Sequence, residues 1–236
     1  MPRSVLVLIH APWETPGLID VALDGVPIVR RSIVDDRAPE LPRATDVAAL
    51  VVMGGPQDAN DDAGHPGLPA ERRLLADAVA ADVPVLGVCL GMQLLGLALG
   101  ARLHLRHGVE IGFAPVDATP AGARDEVLGP LLGSARPVLH WHSDAVELPA
   151  GAILLASTAA TPVQAFRAGS ALGVQFHPEA DSDLLGRWLA TPSMTSGLEA
   201  DAVRRIAEDG GLHLPALRAP ALEGLRAFTR AAQSRL

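Results

Sequence analysis

From Val83 to Ala101 the chain reads VPVLGVCLGMQLLGLALGA, a stretch with no charged side chain that holds the only cysteine. Its length approaches the ~20 residues that a membrane-spanning helix requires. Its composition argues for something else. Pro84 suits the start of a strand, whereas Gly87, Gly91, Gly96 and Gly100 would weaken one long helix and instead fit turn, close-packing and termination positions. The segment is therefore read as a buried strand running into a buried helix, as the core of an α/β sheet presents it, and no membrane partner is expected.

Gly87-Val88-Cys89-Leu90-Gly91 has the Gly-x-nucleophile-x-Gly form of a nucleophile elbow, in which a strand turns sharply into a helix around a strained residue. A thiol at such a bend sits at a helix N-terminus, where unpaired backbone N–H groups and the positive end of the dipole favour the thiolate. Cys89 is the candidate nucleophile.

The rest of the first half supports an α/β reading. SVLVLIH, VPIVRRSI and VAALVVM are short apolar runs, separated by helical stretches near Thr15 to Asp24 and from Leu68 to Ala81. Between Arg102 and Gln175 the runs shorten and alternate, which predicts antiparallel strands added to the sheet. Asp181 to Leu189 has helical spacing. Beyond Ala190 the segment TPSMTSG reads as a linker, followed by two helices near Gly197–Glu208 and Ala221–Arg235 that GG and prolines separate. Residues 1–190 are thus expected to form one domain and 191–236 a helical extension packing on it. Leu222, Leu225, Phe228 and Ala232 line one side of the second helix, a face that covers the domain or, in a homodimer, a twin subunit.

Composition removes several functions. The net charge of −8 argues against a nucleic-acid partner, which calls for a concentrated basic face. All 19 basic residues are arginine, so no lysine is present for a Schiff base or a Walker A loop. One cysteine forms no internal disulfide, and the apolar run before His10 is too short for a signal peptide, so a cytoplasmic location is expected.

A thiol nucleophile needs a base, and the base needs an orienting group. His177 ends the apolar run Leu172 to Phe176, Pro178 forces the chain out of the ladder, and Glu179 lies two residues on, where extended chain faces the same way. That spacing suits a His–Glu dyad. The other histidines include His10 and His65 beside loops and the pairs His104/His107 and His140/His142. The chain has none of the Cys-x-x-Cys spacing that makes zinc assignments strong, and neither metal nor cofactor is assigned. After the strand Val47 to Met53, Gly54-Gly55-Pro56 occupies the sheet edge where α/β folds bind ligands. The N–H groups of Gly55 and Leu90 are candidate oxyanion donors.

Together MGGP, GVCLGMQLLG and GVQFHPE, in this order, resemble the class I (triad-type) glutamine amidotransferases, in particular the amidotransferase domain of GMP synthetase and its free-standing relatives. The resemblance covers about Val5 to Leu189, with weaker matches at Glu110-Ile111-Gly112 and His142-Ser143-Asp144, where Ser143 replaces the usual glycine. It implies a flavodoxin-like three-layer α/β/α fold with a mixed, mainly parallel sheet and added antiparallel strands. It also implies hydrolysis of the glutamine side-chain amide through a γ-glutamyl thioester on Cys89, with His177 moving protons and Glu179 orienting it. Gly55 and Leu90 would be the oxyanion donors, and Gln93, Gly54, Ser143 and Asp144 substrate contacts. The chain has no Ser-Gly-Gly-x-Asp-Ser type pyrophosphatase loop, so an ammonia acceptor would be bound by a synthase subunit. Two other readings keep the fold: a hydrolase of other γ-glutamyl amides or peptides, and a non-catalytic regulatory or binding domain.

Overall fold

The computed structural model describes residues 3–236. Its centre is an eight-stranded sheet whose parallel part is built from β1 (Val5–Leu8), β2 (Ile28–Arg31), β3 (Ala49–Val52) and β4 (Val85–Val88), with α1 (Leu18–Ala22) after β1 and α2 (Leu68–Ala80) after β3. The uncharged segment is divided as its glycines require. β4 ends at Val88, Cys89 forms the bend, and α3 (Leu90–Ala98) follows, closing near Gly100 with φ +83°. Among the described residues no helix is long and apolar enough to cross a membrane.

The middle of the chain supplies β5 (Leu103–His104), β6 (Glu110–Ala114), β7 (Asp117–Ala118), α4 (Gly129–Leu132), β8 (Val138–His142), β9 (Ala145–Val146), β10 (Ile153–Ser157), β11 (Ala165–Ala168) and β12 (Ala171–Val174). The sheet order is β2-β1-β3-β4-β12-β11-β10-β7. β12 runs parallel to β4, and β11, β10 and β7 extend the edge antiparallel. The expectation of antiparallel additions holds for these three but not for the others. β5 with β9 and β6 with β8 form separate two-stranded ribbons, each strand pairing only with the other.

Alternation along the strands distributes side chains between two layers. Val5, Val7, Ala49, Val51, Leu86 and Val88 pack on the side of α1, α4 and the last helix, while Leu6, Leu8, Leu50, Val52 and Val85 pack on the side of α2 and α3. The strands read as continuous apolar runs because both faces are covered.

After α5 (Ser182–Ala190) and the short α6 (Pro192–Thr195), which interrupts the expected linker, the tail is one helix, α7 (Ala200–Gln233), and not the two expected. Pro215 and Pro220 lie inside it. Each removes one backbone hydrogen bond, but Leu214, Leu217, Ala221 and Leu222 on either side are buried, and this packing holds the helix continuous where local propensity would end it. Leu225, Phe228 and Ala232 join the same core cluster as β1 and β3, and the Thr229 hydroxyl donates to the Ala22 carbonyl at 3.0 Å, fastening α7 to the end of α1.

Close approach depends on Gly224, where an added Cβ would lie 1.8 Å from the Val127 carbonyl oxygen, whereas a Cβ at Gly211 would meet nothing within 4 Å. Gly211→Ala is expected to stabilise the protein by up to about 1 kcal/mol through helix propensity. Gly224→Ala is expected to destabilise it despite the same propensity gain. Urea midpoints of the two variants check the opposite signs.

Candidate active site

Four neighbouring parallel strands end at the same edge of the sheet, and each carries part of the site past its last residue. His10 and Glu14 follow β1, Gly54 and Gly55 follow β3, Cys89 follows β4, and Gln175, His177 and Glu179 follow β12. The β4–β12 register pairs Val88 with Val174, and the Cys89 N–H donates to the Val174 carbonyl at 2.8 Å. Residues far apart in sequence are thereby set about one strand spacing apart, ~4.8 Å.

Cys89 has φ +52° and ψ −108°, a strained backbone for a residue with a side chain. The glycines around it explain how this is tolerated. A Cβ at Gly91 would lie 2.0 Å from the Val52 carbonyl oxygen, and one at Gly87 would lie 2.6 Å from the Gly91 carbonyl oxygen. Helix α3 therefore begins pressed against β3 and β4. Cys89 is 7% exposed, and its thiol is directed at the Trp141 carbonyl at 3.8 Å, a long contact.

His177 Nδ1 meets Glu179 Oε1 at 2.8 Å, with both residues buried. Trp188 of α5 packs edge-to-face on the imidazole with ring centroids 4.7 Å apart, and its own N–H donates to the Trp13 carbonyl at 3.0 Å. Burial alone would lower the His177 pKa. The charge of Glu179 and the neighbouring Cys89 sulfur outweigh burial and raise it well above 6.5. Nε2 makes no well-directed hydrogen bond within the protein, so it is the ring nitrogen left for Cys89.

Two buried groups extend this core beyond what sequence motifs marked. His10 Nε2 lies 3.1 Å from both Glu71 carboxylate oxygens, and Nδ1 lies 3.1 Å from the Gly54 carbonyl oxygen. Burial lowers the His10 pKa, but Glu71 and the Gly54 carbonyl raise it more, so the net shift is upward. Because a carbonyl oxygen only accepts, it is His10 Nδ1 that donates to Gly54. In a trans peptide the C=O and the following N–H point in opposite directions, and no cis peptide occurs among the described residues. The clamp on the Gly54 carbonyl thus turns the Gly55 N–H away from His10. Glu14, from the loop between β1 and α1, is 5% exposed, and its Oε2 has no hydrogen-bond partner within the protein. A Cβ on Gly54 would lie 2.8 Å from that oxygen and 3.5 Å from His177 Cε1, which places the carboxyl beside the imidazole. The one available signal for His10 was its position just past an apolar strand. Glu14 and Glu71 had none, since what defines them is burial.

A cavity of about 240 Å³ opens onto Cys89, with Gly55, Gln93, Trp141, Ser143 and Asp144 in its wall. That is smaller than drug-sized sites and suits a small ligand. Gln93 donates to Gln175 Oε1 at 3.2 Å and to the Asp144 carbonyl at 3.4 Å. Asp144 Oδ1 accepts from the Arg106 N–H at 2.8 Å and from the Ser143 hydroxyl at 3.2 Å. Gly54 and Leu90 do not line the cavity; the structure brings them next to it as backbone, Gly54 through its carbonyl on His10 and Leu90 as the first residue of α3.

Known proteins share this architecture. The family model "Glutamine amidotransferase class-I" matches residues 26–190. The chain is 37% identical over 142 residues to the glutamine amidotransferase-like protein YfeJ of Salmonella typhimurium, covering 58% of this chain and 59% of that protein. It is 33% identical over 185 residues to a glutamine-hydrolysing GMP synthase subunit from Natronomonas pharaonis, covering 76% of this chain and 89% of the relative. Against the GMP synthase of Marinobacter nauticus, the match is 33% over 180 residues and spans only 33% of that longer protein. A solved glutamine amidotransferase from Methylobacillus flagellatus superposes with a TM-score of 0.84 at 26% identity, over 98% of this chain and 96% of the other. One from Thermotoga maritima shares the fold with a TM-score of 0.82 at 22% identity, over 97% and 99%. With a flavodoxin-like sheet, a cysteine elbow and a family match that runs from β2 through α5, the chain belongs to the class-I glutamine amidotransferases.

Proposed function

We propose that the protein hydrolyses the side-chain amide of glutamine to glutamate and ammonia through a thioester on Cys89. The observation that carries this reading is the buried convergence of the elbow cysteine with an imidazole held by Glu179 at 2.8 Å. Cys89 sulfur attacks the amide carbon as its proton passes to His177 Nε2. The N–H groups of Gly55 and Leu90 receive the oxyanion, each contributing ~3 kcal/mol to the transition state. Collapse breaks the C–N bond, and His177 returns its proton to the leaving nitrogen, releasing ammonia. Water then attacks the γ-glutamyl thioester, with His177 taking its proton. The C–S bond breaks, glutamate leaves, and the proton returns to sulfur. Gln93, Ser143 and Asp144 hold the substrate, and Gly54 shapes the oxyanion side through its carbonyl. Likeness to a protein named as one subunit of a GMP synthase supports an ammonia-accepting synthase as the partner class.

The His10 clamp supports basal turnover without such a partner, because it holds the Gly54–Gly55 peptide in one orientation. Glu14 supplies a pH dependence. Burial, opposed by His177 and His10 and aided by Glu179, pushes its pKa from 4.5 up to about 7. A carboxyl whose folded-state pKa is raised binds its proton more tightly in the native than in the unfolded chain. Its contribution to stability therefore falls as pH rises from about 4.5 to about 7 and stays low above that.

Pure protein incubated with glutamine is expected to release glutamate, and Cys89→Ala to lower this at least about a thousandfold. A γ-electrophilic glutamine analogue should add its mass to the wild type alone. Undiminished turnover or labelling in Cys89→Ala would refute the thioester. His10→Ala is expected to reduce kcat about ten- to a hundredfold with KM nearly unchanged, since an oxyanion donor acts on the transition state; a change confined to KM would remove the clamp from the mechanism. Glu14→Gln, permanently neutral, should raise Tm relative to wild type more at pH 8 than at pH 5, as read by thermal melts across that range.

A further inference from the structure

The ribbon of β6 and β8 carries a second constellation that the reaction does not use as a unit. Its register sets Glu110 opposite His142 and Gly112 opposite His140. Positions two apart on a strand share a face, so both imidazoles and the carboxylate project from the same side of the ribbon. One ligand atom from each of Glu110, His140 and His142 lies within 4.8 Å of the others.

The hydrogen bonding around these side chains is incomplete in a specific way. His140 is 1% exposed, and its Nε2 donates to the Ala114 carbonyl at 3.3 Å, which leaves the Nδ1 lone pair with no partner. An imidazole with one nitrogen on a backbone carbonyl and the other free is arranged as metal-bound histidines are. His142 is 6% exposed, and neither ring nitrogen has a hydrogen bond; its Nε2 lies 3.4 Å from Glu110 Oε2. The same Oε2 accepts from Gln164 Nε2 at 2.6 Å and from the Thr158 hydroxyl at 3.1 Å, which fixes the carboxylate beside the imidazoles. Buried polar atoms rarely go unpartnered, and a single cation would engage both imidazoles and the carboxylate at once.

We propose that Glu110, His140 and His142 form a site for one divalent transition-metal ion of the zinc class. Two imidazoles and one carboxylate suit zinc over magnesium or calcium, which prefer all-oxygen shells. Three protein ligands match the zinc sites that keep one position open. The ion would lock β6 to β8. Because His142 also lines the cavity and Ser143 and Asp144 follow it directly, the ion would stiffen that wall. The proposal is independent of the glutaminase reading.

The test uses full-length protein without a polyhistidine tag, stripped with chelator and titrated with zinc chloride against a chromophoric competitor. One equivalent is expected to bind, with affinity lowered at least tenfold in His140→Ala, His142→Ala and the near-isosteric Glu110→Gln, and retained in Cys89→Ala. Zinc should raise the Tm of the wild type and leave that of Glu110→Gln unmoved. The cobalt(II) derivative should show the visible absorption of a four-coordinate site. A wild type that takes up no more zinc than the His140→Ala, His142→Ala double variant would overturn the site in favour of a plain polar cluster. So would binding abolished by Cys89→Ala, or by changes at the exposed His104 and His107.

Discussion

The pairing of β4 with β12 is the constraint on which the site rests. This ladder places Gly87 directly opposite Gly173. A Cβ at Gly173 would lie 2.9 Å from both Met92 and Phe166 side chains, and one at Gly87 would strike the first turn of α3. The two glycines make the floor on which α3 lies. Both faces of these strands are apolar, so hydrophobic patterning alone would tolerate a slipped register. Slipping by one residue would put a leucine or valine beneath the helix and separate Cys89 from the chain that leads to His177. The strained bend at Cys89 persists because packing on both sides leaves it no alternative.

Legibility in the sequence followed the range over which each feature is encoded. The elbow is complete within five residues, Gly87 to Gly91, because the bend, its close contacts and its cysteine are all local. His177 and Glu179 are two residues apart, so their geometry follows from extended chain. The division of the first half into sheet strands was legible from the alternation of apolar runs with helical stretches. By contrast, the His10–Glu71 pair joins the end of β1 to α2 across 61 residues, and no periodicity marks a glutamate that is buried because a histidine awaits it. The ribbons β5–β9 and β6–β8 read as further sheet strands, since alternation reports a half-buried face and not which neighbour pairs with it. Continuity of α7 was hidden for the opposite reason. Pro215 and Pro220 are strong local stop signals, overridden by contacts made with α1, α4 and α5.

Charge balance gives these scattered residues a common logic. His10, Glu14, Glu71, His177 and Glu179 are each no more than 5% exposed and gather around Gly54. Burying an unpartnered carboxylate is costly, and here two of the three have an imidazole partner: Glu71 has His10 at 3.1 Å and Glu179 has His177 at 2.8 Å. Glu14 is the carboxyl left over, and it is the one whose pKa rises to about 7. The upward shift favours its neutral form, which lowers the cost of burying a third carboxyl beside Cys89. The same exclusion of water strengthens each remaining interaction. The glutamate paired with His177 and the glutamate paired with the histidine that holds the Gly54 carbonyl thus belong to one electrostatic unit around Gly54.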